Sequence, residues 1–509
     1  MSSRPPYLLG VDSGTSSCKA VVFTLDGEVV AEGVARHTIH HPRSGWAEQD
    51  PLEWWSAAAQ AIREALRRGG VRGEDVVGLS VDSQREAVVP IDREGSVLWR
   101  SIIWLDERAV SQQREIEERV GRERILEVTG LPSDFIFSAP KILWLKENLP
   151  NVYGRTYKFL SAKDYIIFRL TGEVATDYTM ASRTMLLDIR RGAWSEELCE
   201  AMDIDVDLLP RIVGSWEVVG EVTREAAEVT GLKPGTPVAA GGGDRPCEAL
   251  GAGAVREGLV NVGTGTGSAF EVPISEPRPD PGYRFDCCFH VVPGMWEYEG
   301  VINATGASLK WFLELFGREE VEAARSRGVS PYDLVEEVAS KVEAGADGLM
   351  YYPHLWGARL PKPNPKARGA FVGALHGHTR AHFYRAVMEG VAFQYLGVLR
   401  ELERLGVRAE EVTMVGGEAR IGLWNAIKAN VMGVRVKVPR VVEAASLGCA
   451  ILAGVATGAY ADLRRAVEEV VEVGAVYEPD PGLHERYLEL SKKYFRAYEL
   501  LEAAFNEVY

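Results

Sequence analysis

Four short stretches carry residue types that could do chemistry. "GVDSGTSSCK" (10–19) ends an apolar run in Asp12 and continues with Gly14, Thr15, Ser16 and then Lys19. Successive backbone N–H groups and hydroxyls in so tight a turn form a nest for phosphate oxygens. A carboxylate beside them can hold Mg2+, through water because that ion dehydrates reluctantly. The pattern is not a Walker A loop, since GxxxxGK[ST] is absent. "NVGTGTGS" (261–268) is a second such turn, with Gly263, Thr264, Gly265 and Thr266. Two such turns, each after a strand and each in its own half of the chain, read as a clamp on a polyphosphate from both sides. In "MVGGEAR" (414–420), Gly416 and Gly417 lack Cβ atoms and leave room for a flat base against the backbone.

The fourth stretch, "VAAGGGDRPCEALGAG" (238–253), uses three glycines to present Asp244. Read locally, it is either a tight turn whose carboxylate caps the next helix, or backbone that a large group approaches with the carboxylate facing it. Two further clusters end strands: Gln84, Arg85 and Glu86 in "SVDSQREAV" (80–88), and Trp104, Asp106 and Arg108 in "IIWLDERA" (102–109). Together they offer donors, acceptors and one apolar face, as a neutral polyhydroxylated ligand needs. Alone, each reads equally as a surface salt bridge.

The elements that must position these residues alternate between strand and helix. "YLLGVD" (7–12) is a compact strand, and "CKAVVFTLDGEVVAEG" (18–33) reads as two strands joined at Asp26-Gly27. "DPLEWWSAAAQAIREALRR" (50–68) opens with a capping Asp50 and Pro51, then keeps helical spacing. "GLVNVGTGTGSAFEV" (258–272) repeats the strand–turn–strand design of the N-terminus, and 411–439 reads strand, Gly-Gly turn, helix, strand. "EAASLGCAILAGVATG" (443–458) is an apolar, small-residue helix that must be buried. The C-terminal 485–505 has helical spacing suited to internal packing or, alternatively, to a homo-oligomer contact. The sequence therefore predicts an α/β protein of two domains, with the boundary near residues 245–257.

The bulk composition narrows the function classes. At 509 residues, with 46% hydrophobic and 26% charged side chains, the chain is expected to fold as more than one globular domain. A net charge of −16 without a basic patch argues against nucleic acid as a partner. No apolar run approaches the ~20 residues of a membrane span. The N-terminal "MSSRPPYLLGVDSG" shows no signal-peptide architecture, so a cytoplasmic location is expected. The six cysteines lack metal-type spacing, and Cys287-Cys288 reads as strand packing. Only 14 of the residues are Asn or Gln, a depletion that leans towards a thermophile source.

In their order along the chain, "GVDSGTSSCK", "GWAEQDP" (45–51), "DSQRE", "WLDERA", "APKILWLKEN" (139–148), "KDYIIFRLTGE" (163–173), "TDYTMASRTMLLDI" (176–189), "GGGD" and "MEGVAFQ" (388–394) resemble the FGGY carbohydrate kinase family over nearly the whole chain. The resemblance implies two domains of the actin-like ATPase (ribonuclease H-like) fold with an active-site cleft between them. Residues 1–250 would bind the sugar or polyol and residues 251–509 would bind ATP. Asp244 falls where the family keeps its general base. A carboxylate there orients a hydroxyl and accepts its proton as the bond to phosphorus forms, while positioning and charge neutralisation dominate the transfer. Mg2+ would lie at Asp12 and Asp244, with Thr15, Thr264 and Thr266 adding donors.

Substrate identity reads as a hybrid. "DSQREA", Trp104 and "TDYTMASRTML" resemble the glycerol kinase branch, with Arg85 and Glu86 as its polyol ligands. Against glycerol, Ile136 stands where that branch has tyrosine, and Arg245 where it has glutamine. "APKILWLKEN" and "KDYIIFRLTGE" are closer to xylulokinases. A ketopentose of the xylulose type is the first expectation, with Ile136 and Arg245 making room for and contacting a longer substrate. Glycerol is the alternative, and a non-catalytic sugar-binding regulator or a filament- or chaperone-type ATPase lies further off. Asn430 occupies a position where many members of the family carry Asp, beside the expected adenine pocket.

Overall fold

The computed structural model describes residues 6–509. The first five residues of the N-terminal segment, read above as carrying no signal peptide, lie outside the described residues. Two compact units emerge. One holds the chain up to Val255 together with Pro273–Tyr298 and Glu443–Glu472; the other holds Arg256–Val272, Glu299–Val442 and Val473–Tyr509. A single cut near residue 250 does not describe this partition, because later segments return to the first unit.

The first unit is built on a six-stranded mixed sheet. Its strands are β1 (Tyr7–Ser13), β2 (Ser17–Thr24), β3 (Val29–Arg36), β4 (Val76–Ser83), β5 (Val218–Glu221) and β6 (Pro237–Gly243), in the order β5-β6-β4-β1-β2-β3. β1 pairs antiparallel with β2, which places Asp12 opposite Lys19, and parallel with β4, which places Asp12 opposite Asp82. The Asp26-Gly27 turn joins β2 and β3 as its sequence requires, with Gly27 at φ 79°. The amphipathic helix Pro51–Gly69 is capped by Asp50, whose carboxylate accepts from Leu52 N at 2.9 Å. It buries Trp54, Ala58 and Ile62 against Val22 and Leu9 of the sheet.

The helix Ala444–Ala456 explains why the chain returns. Its small residues let backbone meet backbone: a Cβ on Gly10 of β1 would lie 2.0 Å from Ser446 O, and one on Gly448 would lie 2.0 Å from Cys247 O. No larger side chains fit there, so this helix belongs to the first unit's core.

The second unit repeats the hairpin-plus-parallel-strand design. Here β7 (Leu259–Thr264) pairs antiparallel with β8 (Ser268–Ile274) and parallel with β9 (Glu411–Gly416). Beyond it lie β10 (Arg435–Pro439) and β11 (Val473–Tyr477). The C-terminal helix Pro481–Val508 packs internally, with Tyr487 and Tyr494 fully buried. All six cysteines are buried and none forms a disulfide. Among the described residues, no helix is long and apolar enough to cross a membrane.

Candidate active site

The glycines before Asp244 do a packing task first. Gly241 has φ 69°, and a Cβ there would lie 1.9 Å from Val81 O, so β6 can approach β4 only without one. A Cβ on Gly243 would lie 2.4 Å from Arg85 Cδ, in the path of the arginine side chain. Arg85 therefore passes over Gly243 and sets its Nε 3.2 Å from Asp244 Oδ1. Asp244 is the first residue of the helix Asp244–Gly251 and does not cap it: Gly243 is the N-cap, and Oδ1 accepts from Arg245 N at 2.9 Å. The carboxylate keeps 35% of its side-chain surface exposed. Burial pushes its pKa up, against the pull of Arg85 and Arg245 and with a further push from Glu86. It is thus a partly accessible carboxylate of raised basicity.

Glu86 sits beyond β4 at φ 62°, a conformation that is costly for a residue with a Cβ and that the surroundings must hold. Arg183 does so. Its Nε donates to Glu86 Oε1 at 2.5 Å, its Nη1 donates to Asp286 at 2.7 Å, and its guanidinium lies 4.9 Å from the Phe137 ring. Lys141 adds a second tie, donating to the carbonyls of Glu86 (2.8 Å) and Ile136 (2.6 Å). Its burial pushes the ammonium pKa down to about 7. Ile136 is thereby anchored through its backbone beside Arg183 and Glu86. Arg183, Asp286 and Lys141 were missed in the sequence. The runs "TDYTMASRTMLLDI" with Arg183 and "APKILWLKEN" with Lys141 offered a signal, whereas Asp286 carries no distinctive local pattern.

Trp104 is 40% exposed and donates from Nε1 to Thr15 Oγ1 at 3.1 Å, so an apolar face stands over the first turn. Gln84 is buried instead. Its amide donates to Gln49 at 2.5 Å, and Gln49 holds Thr15 O at 2.7 Å, so Gln84 braces the turn from behind. Asp106 and Arg108 likewise do not face a ligand. They form a buried pair at 2.7 Å, with Arg108 also 2.8 Å from Glu48 and 3.6 Å from the Trp46 ring centroid.

Asp12 is the penultimate residue of β1 and gathers charge around itself. Burial raises its pKa to about 6; a hydrogen bond from Asp82 and the nearby Lys19 oppose the rise, and Asp244 and Glu248 add to it. Burial also holds Asp82 well above the usual carboxylate range, beside Asp12 and the thiol of Cys449, which donates to Asp82 Oδ2 at 3.1 Å. A carboxylate surrounded by others and incompletely neutralised is the donor set that fits a hard divalent cation. Lys19 does not stand free for phosphate, because its ammonium pairs with Glu443. Gly14, Thr15 and Ser16 form the β1–β2 turn, with Ser16 exposed.

The second unit contains a cavity of about 660 Å³. Gly265 and Thr266 of the β7–β8 turn line it, as do Gly417 and the N-terminus of the helix Gly306–Phe316 with Ala307 and Lys310. Trp311, Ile421 and Trp424 supply apolar walls. Backbone contact again shapes the turns: a Cβ on Gly306 would lie 2.2 Å from Gly265 O, and one on Gly416 (φ 86°) would lie 2.0 Å from Thr264 O. A helix N-terminus plus a lysine suits phosphate, and the apolar walls suit a base.

Three residues expected here are placed otherwise. Thr264 is spent internally, donating to Val415 O at 2.6 Å and accepting from Glu418 N at 3.1 Å. Gly263 lies within β7, paired with Ala269. Asn430 does not line the cavity; its side chain accepts from Asp480 N at 2.7 Å and so anchors the start of the C-terminal helix. The segment "GASLKW" (306–311), unnoticed in the sequence, supplies much of the wall instead.

Comparison with known proteins assigns both halves of the chain to one family. Residues 7–251 match the N-terminal domain of the FGGY family of carbohydrate kinases, and residues 260–457 match its C-terminal domain. The chain is 31% identical to the xylulose kinase of Bacillus subtilis, covering 97% of this chain and 96% of that protein. It is 33% identical to the autoinducer-2 kinase of Klebsiella pneumoniae, covering 97% and 93%. The crystal structure of gluconate kinase from Lactobacillus acidophilus superposes with a TM-score of 0.89 at 26% identity, covering 99% of this chain and 100% of the other. The two mixed sheets are those of the actin-like ATPase fold. The chain belongs to the FGGY family of carbohydrate kinases and is an ATP-dependent sugar kinase.

Proposed function

We propose that the protein transfers the γ-phosphoryl group of ATP to a hydroxyl of a small neutral sugar or polyol, a ketopentose of the xylulose type first. The observation that carries the neutral class is the pairing of cations around Asp244. Arg85 faces Asp244, Arg183 faces Glu86 and Asp286, and Arg245 lies 3.6 Å from Glu248. A carboxylate on the substrate would have to break one of these pairs, whereas hydroxyls can share them.

The acceptor binds residues of the first unit and ATP binds the cavity of the second. Arg85, Glu86 and Arg245 hold the hydroxyls, Trp104 offers an apolar face, and Ile136 leaves room for a longer chain. Asp244 accepts the hydroxyl proton as the new O–P bond forms and the bond from Pγ to the bridging oxygen breaks, releasing ADP. Asp12, through water, and Asp244 would hold Mg2+, which neutralises charge on the transferring phosphoryl group. Gly265, Thr266 and the Gly306–Phe316 helix receive the phosphates, and the glycine at 417 lies against the base. Glycerol is the second reading, favoured by the resemblance of Arg85, Glu86 and the exposed Trp104 to the glycerol kinase branch.

The test is ADP release with Mg-ATP against D-xylulose, D-ribulose, L-ribulose, L-fuculose, erythritol, glycerol, gluconate and autoinducer-2. A ketopentose should show the highest kcat/KM, and Asp244→Asn should lower kcat by ~10³-fold with KM for ATP unchanged. Faster turnover of gluconate than of any neutral compound would overturn the neutral class.

A further inference from the structure

A second cavity, of about 290 Å³, lies in the second unit among His354, Arg400, Phe495 and Tyr498 and shares no lining residue with the nucleotide cavity. It is walled by two long helices, Arg380–Arg404 and Pro481–Val508. Gly397 keeps it open, since a Cβ there would lie 2.7 Å from Pro361 Cγ.

Its charges are unevenly matched. Each acidic residue at its edge already has a cation: Glu401 has Arg404, Glu502 has Lys362 and Glu499 has Arg496. Arg400 forms no salt bridge among the described residues. Its Nη2 donates to Ser491 Oγ at 3.0 Å, and its guanidinium sits 5.0 Å from the Phe495 ring centroid. Two neutral polar groups are also left over. His354 is 2% exposed with Nε2 lacking any hydrogen-bond partner, and the buried hydroxyl of Tyr498, whose ring is 4.9 Å away, has none either. Burial pushes His354 down to about 4, so the imidazole is neutral at physiological pH.

Buried polar groups without partners are uncommon in a well-packed protein, and a half-buried guanidinium that feels a carboxylate (Glu403) only at a distance, with no salt bridge among the described residues, suits a planar or tetrahedral oxyanion. We propose that this cavity is a binding site for a small oxyanion, a carboxylate or a phosphate ester. Arg400 supplies the charge, His354 Nε2 and Tyr498 Oη the neutral hydrogen bonds, and Phe495 an apolar wall. The volume restricts the ligand to small-metabolite size. The site is independent of the phosphoryl-transfer reading.

The experiment is calorimetric titration of the full chain, saturated with Mg-ADP so that the nucleotide cavity is filled, with inorganic phosphate in one arm and benzoate in the other. At least one should saturate, and the tighter arm tells phosphate esters from carboxylates. Arg400→Gln should weaken that binding at least about tenfold, and Tyr498→Phe about threefold, with unchanged melting temperatures. Absence of saturation by both probes would overturn the proposal, as would binding that Arg400→Gln leaves intact. A change of oligomeric state in Arg400→Gln without anion binding would instead mark the arginine as a contact for an acidic side chain of a second copy.

Discussion

The β1–β2 and β7–β8 hairpins have the same frame and opposite contents. Each is an antiparallel pair flanked on one side by a parallel strand, β4 in the first unit and β9 in the second. The first frame ends in charge: Asp12 on β1, Asp82 on β4, and then Arg85 and Glu86. The second ends in bare backbone: Thr264-Gly265-Thr266 on one strand and Gly416-Gly417 on the other. In the first unit, burial pushes the pKa values of Asp12 and Asp82 up, with Asp244 and Glu248 adding to the rise at Asp12. In the second, glycines let turns touch turns, and the one acid following β9, Glu418, is neutralised by Lys428 at 2.5 Å. One scaffold can thus present a poised charge cluster or a neutral cradle. The choice depends on a few residues at the strand ends.

The comparison can be broken most severely at Asp12. Asp12→Asn should lower Mg2+-dependent turnover by ~10²–10³-fold. The folded carboxyl titrates at about 6, above its ordinary 3.8, so the native state gains protons as pH falls through that window. Ionised Asp12 therefore costs stability at pH 7, and the asparagine variant should melt higher there, by no more than about 3 kcal/mol, with the gain fading between pH 6 and 4. In the wild type, the acid limb of kcat/KM should lie near pH 6 at low Mg2+ and move to lower pH as Mg2+ rises. A limb that ignores Mg2+ would detach Asp12 from the metal.

Next in size is Arg183→Gln, which strands Glu86 and Asp286. It should raise KM for the acceptor ~10–100-fold, leave KM for ATP unchanged and cost about 3–5 kcal/mol of stability. Gly306→Ala probes the other frame. Its Cβ must displace the Gly265 turn, so KM for ATP should rise about tenfold while KM for the acceptor stays constant. Reversed effects for these two variants would mean that the two frames do not divide the work as described. The smallest change is Arg245→Gln, expected to raise KM about threefold for a five-carbon ketose and less for glycerol. Equal effects on both would remove Arg245 from substrate selection.

Local patterns made several elements legible before any coordinates. The Asp26-Gly27 hairpin, the Asp50-capped helix and the small-residue helix at 444–456 each follow from a turn type, a cap or a composition that acts within a few residues. The glycine–threonine turns and the carboxylate at 244 were legible for the same reason. The task of the three glycines was not, because it depends on Val81 and Arg85, more than 150 residues away in the chain.

By itself, then, the sequence determined the strands, the turns, the kinase family and the aspartate that ends the glycine run. Tertiary structure alone decided which charges meet. Arg183 reaches Glu86 across 97 residues, Asn430 is drawn to the cap of the last helix, and Thr264 turns inward to Val415 O on the neighbouring strand, 151 residues on. Backbone propensity acts along the chain, whereas an ion pair or a buried hydroxyl is settled by whatever packing brings within three ångströms, roughly the reach of a hydrogen bond.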